Sequence, residues 1–168
     1  MDEARREAAK VLGVKESAVQ VATLDESVAG VTVVGATAGG DRGPRKFAPA
    51  AVLADGKVVV GGDAVRKALF GAWAWAPGKV PADQVAAVIT KTLETDEPAK
   101  LVSDPDRVAY LKRLGVDGVS LPHEDTLDGR PAVVWWIQTG SNPATEVLLK
   151  VGADGVPTVS YGRTHGGG

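Results

Sequence analysis

The stretch Arg130–Thr139, RPAVVWWIQT, constrains the fold more than any other part of the chain. It is the most strand-like run, and in a strand successive side chains point to opposite faces. Val133, Trp135 and Ile137 therefore share one face, and Val134, Trp136 and Gln138 share the other. A chain carrying this strand must cover two large indoles that point in opposite directions, or leave one of them to a partner.

A similar run, Val28–Thr37 (VAGVTVVGAT), sits roughly a hundred residues earlier, and what surrounds both runs is also alike. Leu12-Gly13-Val14 recurs as Leu114-Gly115-Val116. Thr23-Leu24-Asp25 recurs as Thr126-Leu127-Asp128, and Ala54-Asp55-Gly56 as Ala153-Asp154-Gly155. Three triplets in one order at nearly constant offset point to one unit written twice.

Each unit reads as a helix followed by four strands. Asp2–Leu12 is an amphipathic helix with Asp2 as N-cap, Ala4, Ala8, Val11 and Leu12 on one face, and Gly13 as the C′ residue. Strands follow at Ala18–Leu24, Val28–Thr37, Phe47–Ala54 and Lys57–Val60. Asp55-Gly56 reads as a type I′ hairpin turn. In the second half, Asp104-Pro105 opens a helix that runs to Leu114. Strands are expected at Val116–Leu121, Arg130–Thr139, Glu146–Val151 and Val156–Tyr161. Between the halves, Asp63–Trp73 and Pro81–Thr95 read as two further helices, and Thr95–Lys100 (TDEPAK) as a linker. The expected class is α+β, with each unit a helix on an antiparallel meander. The expected divisions are 1–62, 63–100 and 101–168.

Helices ending in Leu-Gly-Val (Glu3–Val14, Arg107–Val116), valine-rich middle strands and closing Ala-Asp-Gly hairpins resemble the small PepSY-type or cystatin-like modules of bacterial secreted and envelope proteins. That resemblance implies a non-catalytic module that binds another protein, holds a neighbouring domain or inhibits an enzyme. Pro49–Ala68 is also similar to a strand-turn-helix stretch of the Hsp70-type ATPases, but the phosphate-binding glycine loops that accompany it there are missing.

Composition narrows the classes. With 168 residues, 44% hydrophobic and 24% charged, the chain reads as globular. A net charge of −2 without a long basic cluster argues against nucleic acid as the main partner. No apolar run is long enough to insert in a bilayer. Cysteine is absent, which removes disulfides, thiolate nucleophiles and cysteine metal sites. The start goes straight into a helix without a signal peptide, so the expected compartment is cytoplasmic, or periplasmic or secreted if a leader was removed. Gly166-Gly167-Gly168 reads as a flexible tail.

No cofactor, metal or catalytic set is expected. Gly35–Gly43 lacks the Lys-Ser/Thr and the following helix of a phosphate cradle, and Gly78-Lys79 is not a Walker motif. His123-Glu124-Asp125 with Asp128 is the one compact group holding a base and carboxylates, and it reads as a solvated turn between strands. Arg42, Arg45 and Lys46 form a small basic loop cluster. The aromatic residues are the stronger clue: four of the few are Trp. The candidate binding residues are Trp136, Val134 and Gln138 on one sheet face, with Phe70 and Trp75 at the end of the middle helix. A protein partner is expected, with self-association open. An immunity or inhibitor protein and a structural subunit are the alternatives, and a hydrolase built on His123 and Asp125 ranks below them.

Overall fold

The computed structural model describes residues 1–40, 43–73, 78–140, 142–154 and 156–165. Among these are four α-helices and two antiparallel sheets, of four and five strands, so the chain is α+β. Trp75, Asp41 and Arg42, Gly155 and the glycine tail lie outside the described residues. The chain divides into two compact units, Met1–Trp75 with Lys91–Asp96, and Ala76–Thr90 with Glu97–Gly168.

In the first unit, helix α1 (Asp2–Leu12) buries Ala4, Ala8 and Ala9. Small side chains let the helix lie close to the sheet. Val11 is 61% exposed, so the apolar stripe turns through Ala9 rather than Val11. Met1, not Asp2, is the N-cap. The helix stops as the sequence dictates, with Gly13 left-handed at φ 67°. Strands β1 (Gln20–Asp25), β2 (Val31–Ala38), β3 (Lys46–Leu53) and β4 (Val58–Val60) follow in a meander, each pairing with the next. Val34 and Ala50 are register partners and cluster with Ala4 beneath α1. Val33 and Ala51, partners on the opposite face, are fully buried. Helix α2 (Gly62–Trp73) packs against β3 and β2. The Glu94 carboxylate accepts a hydrogen bond from its first N–H, on Gly62, at 2.5 Å, satisfying a group that a helix start leaves orphaned.

In the second unit, helix α3 (Ala82–Thr90) packs on the long strand. It is shorter than the expected 81–95 segment. The supposed linker contains a strand, β5 (Ala99–Leu101). Helix α4 (Pro105–Arg113) has Asp104 as N-cap, its carboxylate accepting from Asp106 N–H at 2.8 Å, and Pro105 at the first position. Strands β6 (His123–Leu127), β7 (Arg130–Thr139), β8 (Ala144–Val151) and β9 (Pro157–His165) complete the sheet. β5 and β6 share one edge of β7, at its two ends, and β8 then β9 lie on the other side.

One strand expectation and one turn expectation are corrected. Val116–Leu121 is not a strand; the strand begins at His123. Its hairpin turns at Asp128-Gly129, with φ 53° and 73°, the two positive values a type I′ turn needs. At Asp55-Gly56 only the glycine has positive φ. Leu53 N–H donates to Lys57 C=O at 2.9 Å around a three-residue loop, so the Asp serves differently: its carboxylate accepts from Lys57 N–H at 2.9 Å.

Candidate functional site

Both indoles of β7 belong to the core, each fully buried. Trp135 lies on the α3 side, where its Nε1–H donates to Thr90 Oγ1 at 2.9 Å. Trp136 lies on the α4 side, in a cluster with Val102, Val108, Leu111, Val116, Val119 and Ala144. The sheet therefore has a layer on each face, and the expectation of an open Trp136 face is overturned. Burying an aromatic side chain removes on the order of 150–250 Å² from water, and α4 supplies that cover. Val134 is 4% exposed and Phe70 8%, so neither can front a partner. Phe70 instead packs at 5.9 Å from the Trp73 ring. Trp75 lies outside the described residues.

The edge of the Trp136 cluster is polar. Arg163 on β9 stacks over the indole at 5.4 Å, and its Nη2 donates to Glu146 Oε2 at 2.7 Å. Its Nη1 also reaches the Asp117 carbonyl at 3.4 Å. The Glu146 hydrogen bonds hold the guanidinium even more firmly protonated than usual. The Trp136 Nε1–H has no hydrogen-bond partner among the described residues.

Gln138 is the candidate residue that reaches a surface feature. It is half-buried, opposite Lys100 on β5. Its Oε1 accepts from Arg107 Nε at 2.7 Å. These residues, with Ser103, Asp104 and Gly140, line an open groove of about 560 Å³ at the start of α4. On the outward side of the same helix, the Arg107 guanidinium lies 4.8 Å and that of Arg113 5.9 Å from the Tyr110 ring. Tyr110 is 41% and Leu114, one turn on, 53% exposed. The signal for this surface was present as the i, i+3, i+6 order Arg107, Tyr110, Arg113, which places the three around one helix face.

His123 does not assemble a catalytic relay. Its Nδ1 lies 2.9 Å from the Leu121 carbonyl, which can only accept, so that nitrogen carries the proton. Ser120 Oγ lies 3.3 Å from the same nitrogen and has no base there to take its proton. The other nitrogen is 4.0 Å from Asp125, beyond hydrogen-bond reach. His123, Glu124 and Asp125 sit on strand β6, not in a loop, and Asp128 lies in the turn that follows it. Among the described residues no three His, Asp or Glu side chains converge to hold a metal ion. No helix described is long and apolar enough to cross a membrane. Arg45 and Lys46 of the basic loop are engaged locally, with Phe47 and the Leu12 carbonyl. No family model, curated protein or solved structure matches the chain.

Proposed function

We propose that the chain is a non-catalytic protein-binding module whose partner docks on the outward face of α4. The observation that carries this is Tyr110, exposed between two guanidiniums beside a groove. Tyr and Arg are the residues that most often dominate interface energetics. Gln138 already holds Arg107 in place, which lowers the entropy lost on binding. Arginines bracketing an aromatic ring favour a partner that presents a carboxylate next to an apolar or aromatic side chain.

We also read the two units as related. Two features support this. Helices α1 and α4 end alike: Val14 N–H bonds Ala9 C=O and Val116 N–H bonds Leu111 C=O, each at 3.1 Å, across left-handed Gly13 and Gly115. Both closing hairpins share a bond pattern, Leu53 N–H to Lys57 C=O and Gly152 N–H to Val156 C=O, each at 2.9 Å. Asp55 and Asp154 each accept from the residue two further on.

The test is affinity capture from a native-source extract with wild type, Tyr110→Ala and Arg113→Ala as parallel baits. Both substituted side chains are exposed, so fold should be retained, checked by circular dichroism. A species held by wild type and lost by both variants supports the reading. A species retained equally by all three refutes it.

A further inference from the structure

The groove at the start of α4 is built by the sheet as much as by the helix. Lys100 on β5 and Gln138 on β7 are register partners, so their side chains stand side by side on one sheet face. Gln138 is two residues from Trp136 along β7, so this is the face that α4 covers. Arg107, in the first turn of α4, reaches the same spot, its Nε donating to Gln138 Oε1 at 2.7 Å. Exposed Pro98 adds an apolar part to the lining.

Two cations meet there without an anion of their own. Gln138 holds the Arg107 Nε, and the Tyr110 ring lies 4.8 Å from the guanidinium carbon. The terminal Nη1 and Nη2 of Arg107 have no hydrogen-bond or ion-pair partner among the described residues, nor have the Lys100 ammonium and the Ser103 hydroxyl. The Gln138 Oε1 is taken, so its amide N–H groups are the free donors. Asp104 is the one negative side chain of the lining, and its carboxylate caps the helix by accepting from Asp106 N–H at 2.8 Å. Glu97 lies over Gly140, beside the groove. What separates Lys100 and Arg107 from scattered surface cations is the cavity they share and the fork already held in place.

We propose that this groove binds one carboxylate of a polypeptide partner, held by Nη1 and Nη2 of Arg107 and by the Lys100 ammonium, with Ser103 and the Gln138 amide donating at its edge. A planar carboxylate matches the arginine fork in a bidentate way. Two positive side chains against one negative leave a balance that a single negative charge neutralises. A phosphate dianion would bring a second charge beside Asp104 with nothing to offset it. The inference deepens the α4 reading and takes the class of partner from it. The carboxylate is that of a C-terminus or of an Asp or Glu side chain. Arg107 belongs both to the groove and to the Tyr110 stack, so a partner residue that places its carboxylate in the groove lays a neighbouring side chain on Tyr110.

The test is a ¹H–¹⁵N chemical-shift titration of the full chain at constant ionic strength. The probes are N-acetyl-phenylalanine, whose free carboxylate stands for a C-terminus, and N-acetyl-phenylalanyl-glutamyl amide, whose only carboxylate is a side chain. N-acetyl-phenylalanine amide, with no carboxylate, and inorganic phosphate are the comparisons. At least one acid should give saturable shifts at Lys100, Ser103, Arg107 and Gln138 with a Kd on the order of 1 mM, as expected for a ligand of that size. The tighter acid identifies the source of the carboxylate. The neutral amide and phosphate should bind about tenfold more weakly. Lys100→Ala and Arg107→Gln, both at exposed side chains, should each weaken the tighter acid about threefold to tenfold. Absence of saturable shifts with both acids overturns the proposal. So does equal binding of the neutral amide, a preference for phosphate, or unchanged affinity in both variants. No captured partner enters this titration, so the groove and the Tyr110 face can fail separately.

Discussion

Trp135→Phe and Trp136→Phe should have very different costs, although the residues are adjacent, of one type and equally buried. Each substitution removes the same atoms from a site with no solvent access, so the transfer and cavity contributions are similar and largely cancel in the comparison. The indole N–H decides the difference. Removing it from Trp135 breaks the bond to Thr90 and leaves that hydroxyl, on a residue 6% exposed, without its donor. An abandoned buried group costs about 1–3 kcal/mol. Removing it from Trp136 deletes a donor that has no partner among the described residues, which recovers part of a similar penalty. The variants should therefore differ by about 1–3 kcal/mol, with Trp135→Phe the less stable, the Arg163 stacking lost in part at Trp136 offsetting some of the recovered penalty. Urea unfolding followed by far-UV circular dichroism reads this as a midpoint gap on the order of 1 M. A Trp136→Phe variant as unstable as Trp135→Phe would refute the assignment of the two indoles.

Two further outcomes follow from the charged groups. Burial works against the charge on Asp25, but hydrogen bonds from Lys91 and Ser27 outweigh it and hold the carboxyl below the usual value of 3.8. A lowered folded-state value means a stabilisation fully present above the unfolded-state value and lost as pH falls through the folded one. The stability gap between wild type and Asp25→Asn should stay constant near neutrality and narrow below about pH 4, measured by denaturant titration at several pH values. A gap that widens on acidification contradicts the pairing. Glu146→Ala should cost about 1–2 kcal/mol, because Glu146 is 9% exposed and bonded to Arg163. The Arg163 side chain is 57% exposed and can rehydrate, which keeps the loss below that of a fully buried pair. An unchanged unfolding midpoint would show that the clamp is idle.

Local chemistry made much of the fold legible. β7 occupies Arg130–Thr139 as its composition dictates, and Gly13 and Asp104 bound their helices as capping rules require. What the sequence could not show was decided by residues far apart. Alternation separates Trp135 from Trp136, but what covers each face comes from α3, α4 and loop residues such as Val119. β6, reading His-Glu-Asp-Thr-Leu, has the polarity of a loop and is a strand because the Asp128-Gly129 turn returns the chain along β7. β5 lies in a stretch of charges and Pro98 that reads as linker, yet it pairs with the end of β7. Of the candidate site, Gln138 reached a surface groove, whereas the Arg107–Tyr110–Arg113 stack was read only as part of a helix.

Placing the docking surface on α4, and not on the sheet, depends on Trp136 being enclosed. The direct measurement is hydrogen exchange at the indole nitrogens in ¹⁵N-labelled protein. The account predicts slow exchange for both Trp135 and Trp136, since neither side chain has solvent access in the folded chain. Slow exchange at Trp135 with immediate exchange at Trp136 would mean that α4 does not cover that face, and would return the sheet to the position of candidate docking surface.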